Sequence, residues 1–268
     1  MNLVERDMLE LLRRGRGDHG VVAVKAEFEA EGTRPDEFLR LLEIARKADL
    51  KVALKIGGCE AVSDLLASRL YGIDYVIAPM VETPYALSKF VEAKNKTHDA
   101  DDQSETSFLF NLETETTLRN LDVMAQGAKG HLDGIVFGRV DFTLSRGLPR
   151  GDIDTRVVTD AVLQVAQVAR DQDLELVVGG SVSTGSLPAL REIRAVRLDR
   201  FETRKVIFDG EAVIRPNIAG GIETAVQFEL AWLKNKRDDY GAIAQEDAAR
   251  ITMIERRLAS NDRERIAG

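Results

Sequence analysis

Residues 134–141 read GIVFGRVD, a short apolar and β-branched run that ends in an arginine and an aspartate. Such a run is typical of a buried strand whose end reaches solvent. The stretch 107–113 (SFLFNLE) and a helical pattern over 115–127 precede it, and a second helical pattern over 155–171 follows it. Short strands that alternate with longer amphipathic helices predict a parallel sheet with helices outside it.

The same strand–helix unit recurs on both sides of that stretch. Further strands are predicted at 21–29, 51–57, 74–81, 174–180 and 198–208, and further helices at 35–48, 60–71, 83–95 and 185–194. Seven such units predict an α/β fold, a TIM-like (β/α)8 barrel modified at its first or last strand. The eighth strand would be EAVIRP after the Asp209–Gly210 turn, in a hairpin with strand seven. An open doubly wound sheet is the alternative.

The chain divides into a barrel and a helical appendage. We expect residues 1–220, which open with an amphipathic helix, to form the catalytic barrel. Residues 221–268 are expected to form two helices, broken near Tyr240–Gly241. Their apolar residues, at helical spacing, would pack on the barrel or on a partner subunit. The polar stretch 95–107 is interpreted as an exposed loop.

Composition narrows the functional class. The net charge of −8 argues against nucleic-acid binding, which requires clustered lysine and arginine. No run of about 18 apolar residues predicts a transmembrane helix, and the first residues lack the pattern of a signal peptide. Cys59, as a single cysteine, fits a reducing compartment. We therefore expect a cytoplasmic protein with no membrane partner.

Two carboxylates lie at the ends of neighbouring predicted strands. In such barrels, functional residues occupy the carboxyl ends of the strands. Alternation along strand five puts Arg139 and Asp141 on one face with Ile135 and Phe137, and Glu113 ends strand four. A buried carboxylate needs a cation, and hard oxygen ligands suit Mg²⁺ or Mn²⁺. The alternative is a salt bridge from Arg139 to one of the carboxylates.

Lysines near the ends of the first two strands allow a different chemistry. Lys25 shares a strand face with Glu27 and Glu29, and Lys55 lies near the end of strand two. A barrel lysine with a lowered pKa can form a Schiff base with a carbonyl substrate. The alternative is that one or both lysines are paired with Glu27 or Glu29, or point outward.

The segment 179–186 (GGSVSTGS) is rich in glycine and hydroxyl residues and opens a helix. Free backbone amides at a helix N-terminus predict an anion site, with Ser181 within it. Ordinary capping of the helix is the alternative. The three histidines, His19, His98 and His131, lie away from the predicted strand ends, so no histidine general base is visible.

Three motifs resemble those of the HpcH/HpaI aldolase and citrate lyase beta-subunit family, within the phosphoenolpyruvate/pyruvate barrel superfamily. They are APMVET at 78–83, FNLET at 110–114 and GRVDFTLSRGL at 138–148, and their order and spacing match over about residues 50–210. The resemblance implies that Glu113 and Asp141 bind a divalent metal that holds a 2-oxo acid and stabilises its enolate.

The chain departs from the family pattern at two positions. Lys55 stands where the family has a substrate-binding arginine, and no histidine follows the strand at 21–29. Glu27 or Glu29 would serve as the base in its place if burial raised its pKa. We therefore predict catalytic or substrate-binding roles for Lys55, Glu27, Glu29 and Arg139, and for Lys25, Ser181 and Arg204.

The function predicted from these residues is a metal-dependent carbon–carbon lyase or aldolase acting on a pyruvate-like 2-oxo acid. We expect a small-molecule substrate, Mg²⁺ or Mn²⁺ as cofactor, no nucleic acid and a homo-oligomer. One alternative is a citrate lyase beta-like enzyme that acts on an acyl thioester, with Arg146 and Arg150 near a carrier's phosphates. The other is a barrel that binds a ligand without turnover.

Overall fold

The structure is a computed structural model that describes residues 1–267, with side chains through Ala259. The strands are β1 (Val21–Glu27), β2 (Lys51–Lys55), β3 (Tyr75–Ala78), β4 (Ser107–Leu112), β5 (Gly134–Gly138), β6 (Glu175–Gly179), β7 (Arg200–Glu202) and β8 (Val206–Asp209). They close into a barrel in chain order, which confirms the predicted TIM-like barrel. None of the helices described in this chain has the length and apolar character needed to span a membrane.

Helices cover the outside of the barrel and follow the strands. They are α1 (Leu3–His19), α2 (Pro35–Lys47), α3 (Val62–Tyr71), α4 (Pro84–Thr97), α5 (Ala100–Glu105), α6 (Glu115–Arg119), α7 (Leu121–Ala128), α8 (Arg139–Ser145), α9 (Arg156–Asp171), α10 (Leu187–Arg194) and α11 (Ile218–Ala267). The loop expected at 95–107 contains α5, and the helix expected at 115–127 is divided at Asn120.

The last two strands form a hairpin within the segment predicted as one strand, 198–208. β7 and β8 are antiparallel, and β8 closes the barrel against β1, also in antiparallel orientation. The segment EAVIRP is therefore not the eighth strand, and residues 210–214 form a 3-10 helix. The turn contains Thr203, Arg204 and Lys205, with none of the glycine, proline or asparagine residues that usually mark a hairpin.

The predicted inner face of strand five is wrong by one residue. Val136 belongs to the cluster that fills the barrel interior, whereas Ile135 and Phe137 pack outward against the helices. Gly138 ends the strand facing the interior, and Arg139 begins α8. Because side chains alternate along a strand, this one-residue difference moves Arg139 off the inner face.

Two apolar clusters hold the barrel together. The larger lies between the strands and the surrounding helices, and the smaller fills the lower barrel with side chains such as Tyr75, Ile77 and Ile207. Arg200 lies 4.3 Å from the centre of the Tyr75 ring and forms a 2.5 Å ion pair with Glu175. The filled lower end leaves space for a ligand at the opposite end, where the parallel strands terminate.

The C-terminal segment is a single helix, so the predicted break near Tyr240–Gly241 is absent. Its first part contributes Ile222, Phe228 and Trp232 to the larger apolar cluster. None of residues 242–259 is buried. Gly241 costs helix stability of about 1 kcal/mol but does not end the helix. The appendage thus consists of a half that packs on the barrel and a half that projects from it.

Candidate active site

A cavity of about 490 Å³ opens at the carboxyl ends of the strands. Its charged lining comes from β1, β2, β7 and the loops and helices beyond the strands. These residues are Lys25, Glu27, Glu29, Lys55, Glu113, Asp141, Arg150, Glu202, Arg204 and Glu229. The cavity contains every sequence-predicted site residue except Arg139.

Lys25 is the centre of the first charged cluster. Its ammonium donates a hydrogen bond to Glu202 Oε1 and lies 3.3 Å from Glu27 Oε1. Burial alone would lower the pKa of Lys25, but the carboxylates of Glu202 and Glu27 outweigh it and raise this pKa above its usual value. Lys25 is therefore held as a cation.

Lys55 is the centre of the second cluster. Its ammonium lies 3.0 Å from Glu29 Oε2 and 3.3 Å from Glu113 Oε2. Burial acts to lower the pKa of Lys55, but Glu113, Glu29 and Glu27 raise it overall. Both candidate lysines are thus charged and paired, as in the alternative interpretation of the sequence.

Glu113 is buried and held from three sides. Its Oε2 accepts a hydrogen bond of 2.7 Å from the Asn111 side-chain amide, in addition to the contact with Lys55, and its Oε1 accepts one of 2.9 Å from the Met80 backbone N–H. Met80 adopts a left-handed φ of 48°, which is costly for a residue with a side chain. Gly138 makes room for Glu113, because a Cβ there would lie 2.9 Å from the Glu113 Cβ.

Asp141 lies in the first turn of α8, and its side chain is exposed to the cavity. No hydrogen bond or ion pair engages its carboxylate within the described part of the chain. The carboxylates of Asp141 and Glu113 therefore border one cavity, as the sequence predicted, although Asp141 reaches it from a helix instead of a strand.

The donor set of the cavity fits a divalent cation. Its lining has six carboxylates against four lysine and arginine cations, a formal excess of two negative charges. Asp141 is free, and Glu113 Oε1 retains a lone pair beside its bond to Met80. No group of three or more His, Cys, Asp or Glu side chains between residues 1 and 259 could hold a metal. Water and substrate would therefore complete the coordination of an ion bound by these two carboxylates.

Arg139 lies outside the cavity lining and is almost completely buried. Its guanidinium donates hydrogen bonds to the carbonyl oxygens of Gly179 and Gly180, at 3.1 and 2.9 Å, and to Ser186 Oγ. It also forms a 2.5 Å ion pair with Asp154. Burial lowers the pKa of Arg139, partly offset by Asp154. These contacts place it behind the β6 loop, where it supports the backbone.

Ser181 and Arg204 both line the cavity, Ser181 in the segment after β6 and Arg204 in the turn after β7. Ser181 follows β6 with a left-handed φ of 51° and an exposed side chain. Arg204, half exposed, lies 3.0 Å from Glu31 and 3.7 Å from Glu27. The predicted anion site at 179–186 is partly engaged, because Ser186 Oγ is bonded to Asp154 and Ser183 caps the turn that follows it.

Sequence reasoning missed Glu202 and the use of Asn111. Glu202 ends β7, with its Oε2 buried and without a hydrogen-bond partner in the described structure, and the same holds for Asn111 Oδ1. The end of β7 could not be identified from the sequence, because residues 198–208 were predicted as one strand. In the structure Gly179 makes room for Glu202, since a Cβ at position 179 would lie 2.7 Å from Glu202 Oε1. None of the three histidines lines the cavity.

Comparison with known proteins agrees with this architecture. The model of the HpcH/HpaI aldolase/citrate lyase family matches residues 35–216, more than half of the chain. The chain belongs to this family. A comparison with curated proteins gave no match. Membership supports a lyase, and the family suggests a small-molecule substrate.

Three solved structures share the fold. An HpcH/HpaI aldolase from Desulfitobacterium hafniense DCB-2 is 13% identical, with a TM-score of 0.59 over 75% of this chain and 83% of its own. A family protein from Burkholderia cenocepacia J2315 is 14% identical, with a TM-score of 0.56 over 87% and 98%. A variant of the citrate synthase SbnG is 17% identical, with a TM-score of 0.53 over 82% and 90%. At these identities the likeness shows the fold alone.

Proposed function

We propose that this family member is a carbon–carbon lyase or aldolase that acts on a pyruvate-like 2-oxo acid with Mg²⁺ or Mn²⁺. The observation that carries the proposal is the pair of carboxylates, Glu113 and Asp141, on a cavity with two excess negative charges. A divalent ion held by them would act as a Lewis acid on the keto and carboxylate oxygens of the substrate.

The two lysines would bind the carboxylate of the substrate. Both lysines line the cavity as ammonium ions, Lys55 beside Glu113 and Lys25 beside Glu202. A lysine nucleophile must lose its proton before it attacks a carbonyl. Since the pKa values of both Lys25 and Lys55 are raised, their contacts favour charge neutralisation over a Schiff base.

Of the two candidate bases, we propose Glu29 as the group that moves the proton. Burial acts to raise the pKa of Glu27, but Lys25, Lys55 and Arg204 lower it overall, which makes Glu27 a weaker base. Glu29 lines the cavity beside Lys55, and its side chain is 26% exposed. A proton taken from the substrate by Glu29 would therefore have a path to solvent.

We further propose a substrate with hydroxyl groups, because two residues of the cavity lining have buried acceptor atoms without a partner in the described structure. Asn111 Oδ1 and Glu202 Oε2 are buried and have no hydrogen-bond partner in the described structure. Leaving such atoms unpaired costs about 1–3 kcal/mol each. A ligand hydroxyl that donates to either atom would recover this cost. A hydroxylated aldol product fits this requirement better than pyruvate alone.

The substrate role predicted for Arg139 is replaced here by a positioning role. Its guanidinium binds the Gly179 and Gly180 carbonyls behind the cavity wall, and it has no place in the lining. We propose that Arg139 fixes the loop carrying Ser181, which in turn contributes its hydroxyl to the substrate site. Arg204, at the rim, is placed to meet a second acidic group of the substrate.

A second candidate is cleavage of an acyl thioester. Arg150 lines the cavity, and Arg146 lies nearby along the chain with its guanidinium 3.3 Å from Glu115. Cationic side chains at the mouth would attract the phosphates of a thioester carrier. A barrel that binds a ligand without turnover is the remaining alternative, supported by the lack of a lining histidine in the described chain. We also propose a cytoplasmic homo-oligomer.

Substitution of Asp141 tests the proposal. Asp141→Asn keeps the shape of the side chain but removes its charge, so Mn²⁺ binding by calorimetry should be lost. Pyruvate release from a panel of 2-oxo and hydroxy acids should fall by about 100-fold or more. The matched control is Asp122→Asn, an exposed aspartate on α7. Normal turnover by the Asp141 variant would show that Asp141 is not a metal ligand.

Two further measurements separate the alternatives. Chelation with EDTA should abolish lyase activity, and Mg²⁺ or Mn²⁺ should restore it. Borohydride trapping with pyruvate should leave Lys25 and Lys55 unmodified in a mass spectrum. A trapped lysine would instead support Schiff-base chemistry. Ligand binding that survives chelation, without turnover in either assay, would support the non-catalytic barrel.

A further inference from the structure

The C-terminal helix α11 has a second apolar face that nothing in the described chain covers. The helix is 50 residues long, about 75 Å at 1.5 Å per residue. Only its first half packs on the barrel. Six large apolar side chains, 42–59% exposed, lie along the other face: Val226, Leu230, Leu233, Ile251, Ile254 and Leu258.

These side chains follow a heptad pattern. Alternating steps of four and three residues connect positions 226, 230, 233, 237, 240, 244, 247, 251, 254 and 258. This spacing is that of the a and d positions of a coiled coil. The series starts and ends with apolar residues, and its middle contains Arg237, Tyr240, Ala244 and Asp247. We refer to this series of ten residues as the α11 seam.

We infer that the α11 seam pairs with the seam of a second copy of this chain, in antiparallel orientation centred on residue 242. In this register each position lies opposite the one equally far beyond the centre. Val226 then meets Leu258, Leu230 meets Ile254, and Leu233 meets Ile251. The three apolar layers at one end therefore match the three at the other.

The polar residues in the middle of the seam decide the orientation. Antiparallel pairing places Arg237 opposite Asp247 of the second copy. Tyr240, whose hydroxyl donates to Glu37 on α2 of its own chain, lies opposite the small Ala244. Parallel pairing would place Arg237 against Arg237 and Asp247 against Asp247, two layers of like charge. Asp247 has no partner in the described part of its own chain, and Arg237 pairs only with the neighbouring Asp238 there, at 2.6 Å.

The pairing satisfies the two-fold symmetry of a closed dimer. An isologous interface requires that residue i contact residue j and that j contact i, which every layer of this register does. Ile243, also exposed, flanks the centre beside the symmetry axis. The projecting half of α11 would thereby gain the packing that a long helix needs in water.

The interface would also reach the cavity. Val226, the first residue of the seam, lines the cavity together with Glu229 of the same helix. In the antiparallel register, the segment 254–258 of the second copy lies against Val226 and Leu230. Each copy would therefore close the rim of the other's cavity. This inference does not depend on the proposed reaction.

Cysteine cross-linking distinguishes the two orientations. In a Cys59→Ala background, the variants Leu233→Cys and Ile251→Cys are each prepared in the full chain. In the antiparallel dimer, two copies of Cys at position 233 would be about 27 Å apart, too far for a disulfide. Each variant alone should stay uncross-linked under mild oxidation, and an equimolar mixture should give a disulfide-linked dimer on a non-reducing gel.

The matched control replaces Ile251→Cys with Glu246→Cys, on the exposed side of α11 away from the seam, and its mixture with Leu233→Cys should not cross-link. Self-cross-linking of either single seam variant would overturn the antiparallel register. Absence of a dimer in the Leu233→Cys and Ile251→Cys mixture would overturn the occupant, leaving the seam to another protein or surface.

Charge exchange gives an independent test. Arg237→Asp and Asp247→Arg should each weaken dimer formation at least tenfold, measured by sedimentation equilibrium, because each places like charges opposite one another. The double variant restores opposite charges and should recover the affinity. A double variant that associates no better than the single variants would contradict the Arg237–Asp247 layer.

Discussion

At the scale of single residues, the site depends on glycines that leave room for carboxylates. Gly138 and Gly179 face Glu113 and Glu202, with no space for a Cβ at either position. The two glycines terminate neighbouring strands and pair with each other across the sheet. The spacing of Gly138 and Asp141 in the motif at 138–148 therefore has a physical explanation. Gly138 leaves room for the Glu113 carboxylate, and Asp141 supplies the second carboxylate.

Gly138→Ala is expected to disable the site while the barrel remains folded. The new Cβ would lie 2.9 Å from Glu113 Cβ and 3.0 Å from Oε2, so Glu113 must move. Overpacking of this kind costs about 1–3 kcal/mol. We expect Mn²⁺ affinity and lyase activity to fall together.

Gly151→Ala is the matched control, because nothing lies within 4 Å of a Cβ there. Calorimetric Mn²⁺ titrations and circular dichroism of the two variants make the comparison. If Gly138→Ala bound Mn²⁺ as the control does, Glu113 would not be a metal ligand.

The acid sensitivity of the protein should depend in part on Glu27. Its pKa is lowered from the usual value of 4.5 by Lys25, Lys55 and Arg204 against the effect of burial. A carboxylate whose pKa is lowered in the folded state stabilises the fold when the pH is above its usual pKa. This contribution is lost as the pH falls through the lowered pKa. Glu27→Gln should therefore lose less stability than the wild type below about pH 4.5.

Urea denaturation at about pH 6 and about pH 3.5 measures this difference. The exposed Glu246→Gln on α11 serves as the control and should follow the wild type at both pH values. An equal loss of stability in wild type and Glu27→Gln would show that Glu27 is not coupled to the lysines.

At the scale of elements, the sequence predicted helices and strands well wherever the periodicity was strong. The helix expected at 155–171 is α9 at Arg156–Asp171, and the one at 35–48 is α2 at Pro35–Lys47. Alternation along β4 places Leu109 in the barrel interior and Asn111 and Glu113 at the cavity. These elements have complete apolar faces, so their period is visible in the residues themselves.

Errors occurred where a short run fits two patterns. RVDFTLS at 139–145 continues the alternation of β5, yet it forms α8 directly after Gly138, which packs against Glu113. The β7–β8 turn is held by contacts distant in sequence, among them the Lys205–Glu31 ion pair. Local sequence does not encode such contacts, so the hairpin and Glu202 could not be predicted.

Arg139 should stabilise the segment that connects β6 and α10. Arg139→Leu would remove its hydrogen bonds to the Gly179 and Gly180 carbonyls and its ion pair with Asp154. We expect a loss of about 3 kcal/mol, at the low end for a broken buried pair, because the Asp154 side chain keeps 31% exposure.

Arg156→Leu is the control, since its ion pairs with Asp160 and Glu192 are exposed and screened by solvent and should contribute little to stability. Equilibrium urea unfolding measures both. A positioning role further requires that Arg139→Leu raise the KM for the substrate through displacement of Ser181. If KM stayed unchanged and kcat alone fell, Arg139 would act in the chemistry itself.

At the scale of the whole molecule, the two halves of α11 lie in different environments. Its first half completes the barrel core through Phe228, which is fully buried, and Trp232. Its second half has no buried residue between 242 and 259. The boundary expected between residues 220 and 221 stays a prediction; along α11 the change from buried to exposed side chains occurs about twenty residues later.

Truncation after Tyr240 should leave the barrel folded, because the removed segment contributes no buried apolar surface in the described chain. The melting temperature at high dilution should stay within a few degrees of the full chain. Phe228→Ala, in contrast, should cost about 3–5 kcal/mol by opening a cavity in the core. Both are measured by thermal denaturation followed by circular dichroism.

If truncation alone destabilised the barrel at all protein concentrations, the distal half of α11 would have to contact the barrel of its own chain. If the destabilisation appeared only at concentrations where the full chain associates, mass action would assign it to a partner subunit.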